Sequence, residues 1–251
     1  MPTVKSIAVK LASKLRSPLV WAPAALLAAA TVVFWCSDLD MAVLRLFFSD
    51  DRTAVSIAAR FPLGEMQPWK LLYDWGVYPA LVFGCAGLAV WIASFVWRKL
   101  EPWRDPGLFF ALVLIVGPLI LVNCVFKPYW SRPRPHAVKD FKQSGDPNDP
   151  PREFVPVFHR GAGEADSSFP SGHAAMGFYW MSPAFVCYWR HRRLALLFLL
   201  FGIAAGCLIG SARIVAGGHF PSDILWAGGI VYYTALLLTA PFHFSRATET
   251  A

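Results

Sequence analysis

Three short blocks of this sequence combine residues able to hold and attack an anion. In the first, Lys127 is followed by Arg134-Pro135 with six residues between; in the second, Pro170-Ser171-Gly172-His173 stand together; in the third, Arg213 precedes His219 by six positions and His219 precedes Asp223 by four. Lys127, Arg134 and Arg213 supply three fixed cations, which suits a phosphoryl group in transfer, whose negative charge spreads over its non-bridging oxygens. An arginine fork can grip two of those oxygens at once, whereas lysine offers a point charge. His219 is the candidate nucleophile, because a neutral imidazole nitrogen can attack phosphorus, and Asp223 can hold the other ring nitrogen in the required tautomer. His173 is then the general acid, since an alkoxide leaves poorly unless its oxygen is protonated.

The local sequence around these residues has its own logic. Pro170 fits a first helical turn, so the backbone N–H groups of Ser171 and Gly172 are expected to point at an anion, aided by the helix dipole. Gly172 would also let a phosphate approach the backbone closely. Gly217-Gly218 forms a corner that swings His219 back toward Arg213, and Pro221 starts the turn that carries Asp223. Three fixed cations make a metal or other cofactor unnecessary, and no metal-ligand cluster stands out. His136, His159, His191 and His243 match none of the blocks and are read as non-catalytic. Arg132 either touches substrate or caps a span, and Arg152, Arg160, Glu164 and Asp166 read as solvated loop charges.

The elements that must position these groups are apolar. Of 251 residues, 56% are hydrophobic and 16% charged, against roughly a quarter charged in soluble domains, so a single membrane domain over residues 1–251 is expected. Six runs approach the ~20 residues needed to cross a bilayer: about 18–36, 75–97, 107–126, 171–189, 194–210 and 222–242. The fold class that follows is all-α, a bundle of six transmembrane helices with an outward-facing site and short interfacial helices. The first run ends in Val32-Val33-Phe34-Trp35-Cys36 with no small-residue cleavage site, and reads as a retained anchor.

Compact basic clusters, Arg98, Lys99 and Arg104 after the second run and Arg190, Arg192 and Arg193 after the fourth, belong on the cytoplasmic side with both termini. Segments 37–74, 127–170 and 211–221 then face outward. Two crossings separate the second block from the third, so all three blocks reach the same face. Residues 1–16 place Val4, Ile7, Ala8, Leu11 and Leu15 at helical spacing among lysines and Arg16, which reads as a surface-lying basic helix or as a positive flank orienting the first span. Ala54, Ile57, Ala58 and Phe61 are similarly spaced and expected along the outer interface, and Gly145 to Pro151 marks turns. Trp21, Trp35, Trp75, Trp97 and Trp189 lie near run ends, where an aromatic belt sits. All five cysteines fall in or at the ends of apolar runs, so no disulfide framework is expected. The net charge of +7 comes without a continuous basic stripe, which argues against nucleic acid and for anionic lipid as partner.

The three blocks resemble the signature of the type 2 phosphatidate phosphatase superfamily: Lys-x6-Arg-Pro, Pro-Ser-Gly-His, and Ser-Arg-x5-His-x3-Asp. The match runs from Lys127 to Asp223, with one departure, Ala212 in place of the serine before the arginine. The resemblance implies a phosphohistidine intermediate on His219 later attacked by water. It further implies catalytic roles for His219, His173 and Asp223, and phosphate binding by Lys127, Arg134, Ser171, Gly172 and Arg213. Bacterial members of this superfamily make a lipid phosphate the expected substrate, in a bacterial inner membrane with the site facing the periplasm. The stretches Phe169 to Phe178 and Arg213 to Trp226 are similar to bacterial lipid A phosphatases as well as to general membrane phosphatases; the 1-phosphate of lipid A is the expected substrate, with phosphatidylglycerol phosphate, undecaprenyl pyrophosphate and a soluble phosphomonoester as the competing ones. A vanadate-holding haloperoxidase fits poorly because those proteins are soluble, and a six-helix transporter fits poorly because its charges should sit at mid-membrane.

Overall fold

A computed structural model describes residues 17–50, 56–142, 150–161, 167–242 and 244. Several expectations lie outside those residues: the basic segment 1–16, Ala54, the turn at 145–149, Glu164, Asp166 and His243. The described chain is helical, with one isolated bridge between Val138 and Arg152. We number the helices α1 (Pro18–Cys36), α2 (Leu39–Arg45), α3 (Ile57–Arg60), α4 (Trp69–Trp75), α5 (Tyr78–Ala93), α6 (Arg104–Leu114), α7 (Lys127–Trp130), α8 (Gly172–Phe178), α9 (Ser182–Cys187), α10 (Arg192–Val215) and α11 (Pro221–Leu238). Between α6 and α7 the chain widens into π-type turns over Ile115–Phe126, around Pro118, whose missing N–H removes a helical hydrogen bond and whose ring crowds the preceding turn.

Among the described residues, four helices are long and apolar enough to cross a membrane: Pro18–Cys36, Trp69–Ala93, Arg98–Ala137 and Arg192–Val215. α10, with 24 residues, is about 36 Å long at 1.5 Å per residue. The remaining two of the six expected spans are built differently. The run at 171–189 divides into α8, a tight turn at Tyr179–Met181, and α9, and the run at 222–242 forms the 18-residue α11. Both are largely enclosed by other helices. Backbone interrupted in this way is tolerated where protein rather than lipid surrounds it, so the all-α class holds, with four of the six expected crossings long and apolar enough among the described residues.

Close packing explains how the enclosed helices are seated. Gly202, Gly206 and Gly210 repeat every fourth residue along one face of α10, the small-residue ladder that lets helix backbones approach in the absence of water. A Cβ at these positions would lie 2.2 Å from the Met181 backbone nitrogen, 2.3 Å from the Phe178 ring and 2.4 Å from Ile224 Cγ2. The ladder therefore locks α8, which carries His173, and α11, which carries Asp223, against the helix that carries Arg213. Val122, Ala174, Ala175, Phe178, Ile224 and Ala227 fill the space between them. α1 is tied to α11 by Trp226 Nε1 donating to Thr31 Oγ1 at 3.0 Å and Tyr233 Oη donating to the Val20 carbonyl at 2.7 Å.

The segments expected outside meet at one end of the bundle. Met41, Leu44, Phe61, Val138, Phe141 and Phe220 form a separate small core there. Phe61 is 1% exposed and packs at a tilt against the rings of Phe48 and Phe141. This corrects the expectation that it lies along the membrane interface: a four-residue helix cannot bury a whole face in lipid, and the aromatic cluster offers Phe61 a drier site. Ile57 and Ala58 remain exposed, as do Trp21, Trp35, Trp75, Trp97 and Trp189.

Candidate active site

His219 sits in the short connection between α10 and α11, and the sequence forces that connection to turn sharply. Gly217 has φ +66°, in the left-handed region where a side chain is strained, and a Cβ there would lie 2.5 Å from the Phe61 ring. The corner is pinned on both sides. The Gly217 and Gly218 N–H groups donate to the Ile214 and Arg213 carbonyls at 2.9 and 2.8 Å, and the His136 N–H donates to the Gly217 carbonyl at 3.1 Å. His136 Nδ1 lies 3.0 Å from the same oxygen, and Arg134 Nη1 donates to the Gly218 carbonyl at 3.4 Å. His136 thus fastens the corner, and an arginine of the first block reaches the backbone of the third.

The imidazole that this corner presents is 1% exposed. Burial, with Arg213, Arg134, Lys127 and His173 around it, holds the His219 pKa well below the ordinary 6.5, so the ring is neutral and carries a free lone pair at neutral pH. The three cations of the first and third blocks and both histidines therefore converge, as the spacing predicts. Arg213 is seated by Tyr73 of α4, whose ring centroid is 3.8 Å from the guanidinium carbon and 5.8 Å from the His173 ring. Nothing in the sequence singled out Tyr73, because it is 140 positions from Arg213 (213 − 73) and belongs to no motif.

Asp223 is fully buried on the first turn of α11. Its Oδ2 accepts from the Phe220 N–H at 2.8 Å and lies 3.6 Å from His219 Nδ1. That nitrogen has no hydrogen-bond partner, so closing the gap by roughly 0.5 Å would bring it into hydrogen-bonding range. Nε2 would then be left to react.

The second block differs from expectation in detail. Pro170 precedes the helix; Ser171 is its N-cap, its hydroxyl accepting from the Ala174 N–H at 3.4 Å. The Ser171 N–H donates to the Asp223 carbonyl at 3.3 Å, so it serves to join α8 to α11 rather than to point at an anion. Gly172 is needed on its Asn123 side, where a Cβ would meet Oδ1 at 2.9 Å. Ala212, the departure from the serine of the signature, is fully buried, where a hydroxyl would need a partner of its own.

Arg132 neither faces outward as a cap nor belongs to the cation group. It is 1% exposed and bonded to Asp223 Oδ1 at 2.6 Å, Asp40 Oδ2 at 2.8 Å, Ser222 Oγ at 2.8 Å and the Val155 carbonyl at 2.7 Å. The Phe220 ring lies against its guanidinium at 4.2 Å. Sequence reasoning left Arg132 between two roles and overlooked Asp40; the only available signal was that Arg132 is a second arginine two positions before Arg134.

The chain belongs to the PAP2 superfamily, whose match covers residues 106–246 and so takes in all three blocks. Among curated relatives, it is 35% identical over 139 residues to the lipid A 4′-phosphatase of Francisella tularensis subsp. novicida, a match covering 55% of this chain and 59% of that protein. It is 26% identical to the lipid A 4′-phosphatase of Rhizobium etli, across 88% of this chain and 91% of the relative. The protein of the same name from Rhizobium leguminosarum is 28% identical, across 79% and 86%. No solved structure matches the chain.

Tyr73→Ala is expected to lower kcat/KM about five- to tenfold, the value of a desolvated cation–π contact of about 1 kcal/mol or slightly more, while Tyr73→Phe stays within twofold. Steady-state kinetics on both variants checks this; an equal loss in the two would point to the hydroxyl instead.

Proposed function

We propose that this protein is an integral membrane phosphatase that removes the 4′-phosphate of lipid A by way of a phosphohistidine on His219. The observation that carries the reading is a buried, neutral imidazole surrounded by Lys127, Arg134 and Arg213 at one end of an apolar helical bundle. In the first step His219 Nε2 bonds to phosphorus as the P–O bond to the sugar breaks, and His173 delivers its proton to the departing oxygen. In the second, water attacks the phosphohistidine, His173 retrieves a proton from that water, and inorganic phosphate leaves with His219 restored. The cations follow the charge through both steps, so neither requires a metal. The three relatives bearing the 4′-phosphatase name support that position on the substrate; the 1-position expected from the sequence has no such support.

Purified protein should release phosphate from lipid A and leave a product that mass spectrometry shows to retain its 1-phosphate. Turnover should persist in excess EDTA and be inhibited by vanadate. Cleavage of phosphatidylglycerol phosphate or undecaprenyl pyrophosphate at least tenfold more efficiently would remove the substrate, and loss of activity on chelation, restored by one divalent ion, would remove the metal-free mechanism.

The site is proposed to face the periplasm of a bacterial inner membrane. Arg104, bonded to Ser94 and lying over Phe95, and Arg192, beside Tyr188, are at the basic clusters beside helix ends, which are read as cytoplasmic. In a background without the five native cysteines, Glu153→Cys should react with an impermeant thiol reagent in intact spheroplasts. Reaction only after lysis would invert the orientation.

A further inference from the structure

Two charged residues that belong to no signature position, Asp40 and Arg132, join Asp223 of the third block, through Ser222, in a buried charge cluster that reaches the reacting histidine. From this geometry we propose that Asp40 and Arg132 are positioning residues for phosphoryl transfer, holding the Asp223 carboxylate in place and keeping it negative toward His219; the proposal rests on His219 being the nucleophile.

The carboxylate of Asp223 is fixed at both oxygens. Oδ1 takes a hydrogen bond from Arg132 Nη1 at 2.6 Å and Oδ2 takes one from the Phe220 N–H at 2.8 Å, which leaves the Oδ2 side turned to His219 Nδ1. Arg132 alone would be an unsuitable partner for this purpose, because a guanidinium bonded to a single carboxylate cancels its charge. Asp40 changes that balance. Its Oδ2 accepts from Arg132 Nη2 at 2.8 Å and from Ser222 Oγ at 2.6 Å, and its Oδ1 accepts from the Ser222 N–H at 2.9 Å. Two carboxylates sharing one guanidinium leave a net negative charge, and it is buried, since Asp40, Arg132 and Asp223 are 3%, 1% and 0% exposed.

That charge faces the imidazole which must become more positive as its Nε2 bonds to phosphorus. A buried charge acts strongly there because little water screens it. Asp40 also sits at the N-terminus of the 18-residue α11, where the helix dipole favours a carboxylate. Asp40 comes from the segment just after α1, 66 positions before the first residue of the family match (106 − 40). The first span is thereby tied to the chemistry by one side chain.

A solely structural pin would produce the same hydrogen bonds, so the experiment must separate the two. Asp40→Asn keeps the shape and removes the charge. Measured by single turnover on lipid A with wild-type and Asp223→Asn proteins as the two backgrounds, it should lower the rate about tenfold or more in the wild type, in keeping with partners that orient a site's residues, and less than twofold in Asp223→Asn. The inhibition constant of inorganic phosphate should stay within twofold, since the cations are untouched. Where Asp40→Asn fails to accumulate in membranes, Arg132→Lys is put through the same cycle with the same expectation, because one ammonium cannot span both carboxylates. A wild-type rate, an equal loss in both backgrounds, or a parallel weakening of phosphate inhibition would overturn the proposal. If His219→Ala is inert while Asp40→Asn turns over normally, the positioning role alone falls; if His219→Ala is active, the nucleophile assignment falls and takes this proposal with it.

Discussion

His219→Ala is expected to lower turnover by roughly a thousandfold or more, as removal of a covalent nucleophile does, and to abolish incorporation of phosphate label into the protein. Wild-type protein quenched during turnover should carry label that is lost in acid and retained in base, the behaviour of a phosphoramidate. Nearby alternatives are few. His136 is held at the Gly217 carbonyl and His173 lies against Tyr73, so neither replaces a buried, neutral imidazole facing Lys127, Arg134 and Arg213. Binding should survive the substitution, because the cations remain: KM and phosphate inhibition should change far less than kcat. Near-normal turnover in His219→Ala, or acid-stable label at another residue, would end the mechanism.

The convergence of Lys127, Arg134, Arg213 and His173 on His219 was legible in the sequence because holding a phosphate demands particular residue types at fixed spacings. Gly217-Gly218 and Pro221 could likewise be read locally, since a left-handed φ and a helix start each have a characteristic residue. What escaped depends on distance along the chain. The partner of Arg132 is 92 positions away at Asp40, and that of Arg213 is Tyr73; no spacing rule links such pairs. The Ser171 N–H was assigned to an anion by a local argument that could not see the Asp223 carbonyl taking it.

The same limit governed the spans. Hydropathy counts apolar residues without knowing whether lipid or protein will cover them. The run at 171–189 reads as a crossing, yet its residues are buried among α10, α11 and the π-type stretch, so it breaks at Tyr179–Met181 without exposing backbone to lipid. The glycine ladder of Gly202, Gly206 and Gly210 shows why that enclosure is possible: it removes the side chains that would hold α8 and α11 off α10. The element carrying His173 is therefore interrupted where packing against α10 and α11 covers it.

His173→Ala should separate the two halves of the cycle by the leaving group it is given. On lipid A the departing group is an alkoxide, and loss of the acid should lower the rate by about 10²- to 10⁴-fold. A nitrophenolate leaves without being protonated, so with p-nitrophenyl phosphate the first step should be largely spared. The second step gains nothing from that substitution, because the attacking water still lacks the base that would take its proton. Nitrophenol should then appear in a burst approaching one equivalent per active site, followed by slow release of phosphate, and the phosphohistidine on His219 should accumulate. His173 is the second residue of α8, half-buried, and burial with the same three cations disfavours its protonated form, so the negative charge of the bound phosphate must offset them for the ring to carry the proton it donates. Stopped-flow absorbance with parallel label counting makes the comparison. Equal losses on both substrates with no burst would show that His173 serves binding or structure, and some other group would have to supply the proton.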